Sequence, residues 1–155
     1  MIVVGVISIL SVAIITVINP ADQIQKANDG RRKSDLLQIQ KSLEQYYQDN
    51  GRYPASTTDG SYQIVSVNQT PLPWGSSWIP YMNLLPKDPS GTKYYQYVSD
   101  SSGQIYYLYA SLDRGSKDKD ACKSGAACNS LLGISPMPTC GSVCNYGASS
   151  PNVSP

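Results

Sequence analysis

The chain opens with eighteen uncharged residues, MIVVGVISILSVAIITVI. As a helix they would extend about 27 Å at 1.5 Å per residue, near the hydrocarbon thickness of a bilayer. Ser8, Ser11 and Thr16 can return their hydroxyls to the preceding turn, so they do not forbid insertion. Asn19-Pro20 then looks like a break. Yet Asn is a favoured N-cap, Pro a favoured first helical residue, and Asp22 suits the positive end of a helix dipole. The pattern therefore predicts a helix that restarts at Pro20 nearly in line with the first. Ile24, Ala27, Leu36, Ile39, Leu43 and Tyr46 or Tyr47 recur near helical spacing and give it one apolar stripe. Five acids and five bases between residues 20 and 50 are then expected on its other faces. Asn50-Gly51 supplies the stop and Pro54 prevents resumption. The expected element is a stalk, uniformly apolar over 1–19 and amphipathic over 20–51.

Past the stalk the pattern changes period. Residues 60–86 carry no charge and hold Trp74, Trp78, Pro71, Pro73 and Pro80, which predicts a loop with short strands packing its aromatics on the stalk. Residues 93–99 and 104–110 read as two strands separated by the turn residues of Ser99-Asp100-Ser101-Ser102-Gly103, a hairpin. Their Tyr ladder is expected to pack on the stalk with one side and meet water with the other. Residues 124–155 have no charged side chain and too few aliphatic residues to bury a core of their own, so disulfides would have to order them. The fold class is α+β: a long helix against a small antiparallel sheet. The regions are 1–19, 20–51, a head at 52–121 and a Cys-containing tail at 122–155.

Composition narrows the function. In 155 residues the formal net charge is +1, so no strong field points to nucleic acid. There is no His, no GxSxG and no HExxH, which argues against a membrane-anchored enzyme. Tyr is abundant (12) and Phe absent, a choice suited to rings with one apolar side and one wet tip. Arg31-Arg32-Lys33, flanked by Asp29 and Asp35, reads as a solvated or intersubunit salt-bridged face. Cys122, Cys128, Cys140 and Cys144 lie in Ser/Gly/Pro-rich sequence, where an even count points to two disulfides and an oxidising compartment. The spacings are too loose for a knuckle-type zinc site. Local pairs, Cys122–Cys128 and Cys140–Cys144, are favoured, with the crossed pairings open.

The apolar opening, then INPA, then GRRKSDLLQIQKSLEQYYQDNGRYP, resembles the type IV pilins and the major pseudopilins of type II secretion. Further on, LLPKDPSGTKYYQY resembles the LPxDPWGxxYxY region of major pseudopilins. The resemblance implies a pilin-like fold and a subunit held in the bacterial inner membrane. Assembly machinery, with minor pilins as partners, would then extract it into a homopolymeric helical filament on the cell surface. Val6, Ile9, Leu10, Ala13, Val17 and Pro20 are the expected filament-core positions, and the β-branched run from Ser8 to Asn19 is where the helix is expected to loosen on assembly. The family's mature chain begins with a methylated aromatic residue and a nearby glutamate, and neither maps onto a residue of this sequence.

A type IV pilus subunit is the first expectation, because pseudopilus loops are usually short and this tail is long. A type II secretion pseudopilin and a membrane-tethered binding module are the alternatives. The stretch from Ser111 to Asp120 also resembles a pseudopilin loop that binds calcium. Asp113, Asp118 and Asp120 are the candidate oxygen ligands, but the interleaved Arg114, Lys117 and Lys119 favour an ion-paired turn over a calcium site. No other cofactor is expected.

Overall fold

The computed structural model describes residues 2–7, 19–128, 130 and 134–155. Residues 2–7 are helical, and helix α1 runs Pro20–Asn50. Its start is built as the sequence dictates: Asn19 is extended and its side chain accepts from the Asp22 amide, Pro20 opens the helix, and Asp22 sits in the first turn. Gly51 ends it in the left-handed conformation (φ 69°), donating its amide to the Tyr47 carbonyl.

One face of α1 is buried, through Asp29, Arg32, Asp35, Leu36, Ile39, Ser42, Leu43 and Tyr46. This corrects the expected stripe at its N-terminal end. Ile24 is 61% exposed and Ala27 is exposed, and the positions that continue the buried face there are charged. The head buries its face of the helix from Asp29 onward and reaches the first turn through ion pairs of Arg114 and Lys117 with Asp22.

The head contains two sheets. A small antiparallel pair, β1 (Ile64–Val65) and β2 (Pro71–Leu72), lies in the segment after the helix. From that segment Trp78 and Tyr81 pack on Tyr46, with ring centroids 5.8 and 5.0 Å away, as the aromatic loop predicts. The main sheet is β3 (Gln96–Ser99), β4 (Tyr106–Ala110) and β5 (Tyr146–Ser149), all antiparallel with β4 in the centre. Both hairpin strands are shorter than expected because their outer residues find other partners. Tyr94 donates its amide to Cys140, and Tyr95 turns its ring onto Trp74 and its hydroxyl to Asp35. The hairpin turn is closed by Asp100, whose carboxylate accepts the amides of Gln104 and Ile105. Tyr53 donates to the Gly103 carbonyl (2.7 Å), which ties the end of the helix to that turn.

The alternation of β4 separates two cores. Tyr106, Leu108 and Ala110 face α1 with Tyr97, Leu36, Ile39 and Leu43. Tyr109, on the opposite face, is fully buried with Cys128, Cys140 and Cys144. At Tyr109 the second face of the Tyr ladder is therefore covered by the tail rather than wet as the sequence suggested, while Val98 and Tyr107 beside it stay partly exposed. Fold class is α+β with a stalk helix, a sheet and a disulfide-tied outer layer, and the tail region 122–155 supplies the third strand.

Candidate functional site

The candidate site is the set of contacts that fixes the head to α1. Its centre is Arg32, whose side chain is completely buried. The guanidinium grips Asp88 with two bonds, Nε to Oδ2 (2.8 Å) and Nη2 to Oδ1 (3.1 Å). Its Nη1 donates to Asp29 Oδ1 and to Asp113 Oδ2, each at 2.8 Å. Asp29 in turn accepts the backbone amides of Asp113 and Arg114 (2.8 and 2.9 Å), so the loop after β4 is bound to the helix by main chain as well as by charge. The expectation of a solvated Arg-Arg-Lys face is overturned at Arg32. The Asp29–Arg32 spacing of three lies on the stripe that buries Leu36 and Ile39, and the carboxylates waiting there make burial of a cation tolerable.

The electrostatics agree with the geometry. Burial alone would raise the Asp88 carboxyl, but hydrogen bonds from Arg32 and Ser90 outweigh it and hold the group below the usual carboxylate range. At Asp113 burial is likewise outweighed, by Arg32 and Lys93. Burial would lower Arg32, and its three aspartates push it upward instead.

Of the candidate calcium ligands, the structure brings two together and directs the third elsewhere. Asp118 Oδ1 and Asp120 Oδ2 meet at Lys33 Nζ (2.7 and 2.9 Å), whereas Asp113 is held by Arg32 and by Lys93 Nζ (2.5 Å). The competing ion-paired turn exists, although its main partners are stalk residues rather than the loop's own bases. Arg114 Nε lies 3.1 Å from Asp22, and Lys119 Nζ lies 3.6 Å from Asp120. Among the described residues, no group of three or more His, Cys, Asp or Glu is placed to hold a metal ion.

The four Cys form Cys122–Cys128 and Cys140–Cys144, the favoured local pairs. The two loops are stitched to each other, since Cys128 donates its amide to the Cys144 carbonyl and Cys122 to that of Asn145. Asn145, buried beside them, binds both main-chain groups of Leu112 through its side-chain amide (2.7 and 3.2 Å).

Val6 lies in the helical 2–7 segment and is 51% exposed; Ile2 and Val3 are 85% and 70% exposed. Pro20 is exposed at the start of α1. Ile9, Leu10, Ala13 and Val17 lie outside the described residues, as does the run expected to loosen. Among the described residues no helix is long and apolar enough to cross a membrane.

The sequence reading missed the Arg32 cluster and the strand at 146–149. For the first, the signal was present: positions 29, 32, 36, 39, 43 and 46 step by three and four, so Asp29 and Arg32 belong to the buried stripe. Residues 19–125 match the family described as type II secretion system (T2SS), protein G. No curated protein and no solved structure matches the chain.

Proposed function

The chain belongs to the type II secretion protein G family, and from that premise we propose that it is a structural subunit that polymerises into a helical pseudopilus through its N-terminal apolar segment. The observation that carries this reading is the mismatch between stalk and head. The head buries the helix from Asp29 onward and reaches the first turn through ion pairs at Asp22, while Ile24, Ala27 and the helical 2–7 segment keep their apolar side chains exposed. Exposed apolar side chains of that kind call for a cover. Lipid supplies it first and copies of the same segment supply it in the filament. The subunit would then wait in the inner membrane, be extracted by the assembly machinery and minor pseudopilins, and act with no catalytic step.

A type IV pilus is the second reading. The long tail is not free, since residues 146–149 pair with β4 and the disulfide loops cover Tyr109. What favours it is that this outer layer extends beyond the family match and presents Met137 (53% exposed) and Val143 (48%) beside a cleft of about 620 Å³.

The test is a charge in the apolar segment. Ile9→Asp should abolish filaments in a shearing and sedimentation assay while the head folds normally, because the carboxylate would be buried without a partner. Normal filaments from Ile9→Asp would sink the proposal. Wild-type protein that stays wholly with membranes would favour a tethered binding module instead. A filament that forms only with the secretion machinery supports the pseudopilus over the surface pilus.

A further inference from the structure

We infer that Lys33 is the resident cation of the loop between Asp113 and Asp120, its ammonium standing between Asp118 and Asp120 where a divalent ion would otherwise have to sit, so that this head holds its loop without calcium. Calcium takes six to eight oxygens at about 2.3–2.6 Å from several converging carboxylates and carbonyls. Here the converging oxygens already have a cation. Lys33 Nζ lies 2.7 Å from Asp118 Oδ1 and 2.9 Å from Asp120 Oδ2. Asp118 Oδ1 also accepts the Asp120 amide (2.9 Å), which folds the two aspartates around the ammonium. On its other side Nζ stands 5.4 Å from the centre of the Tyr146 ring. One side chain of α1 therefore joins the helix, the loop and β5.

The third carboxylate that a dication would need is committed. Both oxygens of Asp113 are bonded, to Arg32 at 2.8 Å and to Lys93 at 2.5 Å. Drawing it towards a metal would remove one of the three carboxylates that balance the buried guanidinium of Arg32. The local charge is also closed, since Lys119 lies 3.6 Å from the more exposed Asp120 and supplies the positive charge that a single ammonium lacks. A lysine at position 33 thus substitutes for the ion, whether the filament is a pilus or a pseudopilus.

The experiment uses the full chain in detergent micelles. Two readouts apply: the thermal midpoint by near-ultraviolet circular dichroism, and the rate of trypsin cleavage after Lys117 and Lys119. Both are measured in calcium chloride and in EDTA. Wild-type protein should give the same midpoint and the same cleavage rate in both buffers, because a filled calcium site would make each depend on the ion. Lys33→Met should be cleaved at least about tenfold faster at Lys117 and Lys119, since local opening exposes the loop. Lys33→Arg, which keeps a cation within reach, should stay within about threefold of wild type. A wild-type midpoint raised by calcium, or a Lys33→Met loop as resistant as wild type, overturns the inference. If Lys33→Met does not fold, the arginine variant decides: normal protection supports the inference, and equal loss overturns it, because a cation would then not be what the loop requires.

Discussion

Replacing Arg32 by Met removes the one cation common to Asp29, Asp88 and Asp113 while keeping most of the apolar stem. Asp88 has no exposed side-chain surface and Asp29 only 5%, so both would be left buried without a counterion; Asp113 would retain Lys93. Breaking a buried pair in this way costs about 3–5 kcal/mol. For a head of this size each kcal/mol lowers the midpoint by about 3–4 °C, so a fall of about 9–20 °C is expected. Arg32→Lys keeps the charge but loses the two-pronged grip on Asp88, and should fall between the two. The pH dependence makes the test specific. In wild type Asp88 and Asp113 are depressed, so their contribution is complete above the unfolded carboxyl value near about 3.9 and is lost as pH falls through their lower folded values. In Arg32→Met the burial of Asp88 is left without its main opponent, its folded value is expected to rise above the unfolded one, and the variant should gain stability as pH falls through that raised value. Guanidinium unfolding of the two proteins in micelles should therefore show a gap that narrows from pH 7 to pH 4. A variant within about 1 kcal/mol of wild type, or a gap that does not change with pH, would refute the claim that Arg32 organises the head–stalk contact.

Three further outcomes follow from other parts of the molecule. Cys140→Ser/Cys144→Ser should destabilise the head by about 2 kcal/mol, the loop-closure value for so short a ring, and mass spectrometry of unreduced wild type should find no thiol that alkylates. Gly141 has φ +73°, and a Cβ there would run into the Thr92 carbonyl; Gly141→Ala should cost about 2 kcal/mol or more in denaturant titration, whereas the same change at Gly30, where nothing lies near, should be neutral or stabilising. Assembled filaments should survive 1 M salt and release subunits in a detergent that solvates the stalk, since apolar burial at roughly 25 cal/mol per Å² outweighs exposed ion pairs worth about 0–1 kcal/mol each. Because lipid is as apolar as the bundle, the same burial gives little drive to leave the membrane, and extraction needs outside work.

The stalk was legible because its signals are local. Asn19, Pro20 and Gly51 act on their own helix ends, and Leu36, Ile39, Leu43 and Tyr46 state a period that only a helix satisfies. The aromatic loop and the hairpin were legible for the same reason, as turn residues and alternating rings. What escaped depends on distant pairs. Arg32 meets Asp88 and Asp113 at sequence separations of 56 and 81, and hydropathy assigns each of them singly to solvent. The strand Tyr146–Ser149 has little β propensity in YGAS; it forms because β4 offers it a free edge and the Cys140–Cys144 loop delivers it there.

The most direct measurement is a helical reconstruction by cryo-microscopy of filaments sheared from cells that express this chain. The account predicts a dry central bundle made of residues 1–18 from neighbouring copies. Ile24 and Ala27 should be covered by adjacent subunits, and the β5 and disulfide layer should face outwards. Filaments held together by head contacts alone, with the apolar segments outside the core or still in lipid, would contradict it.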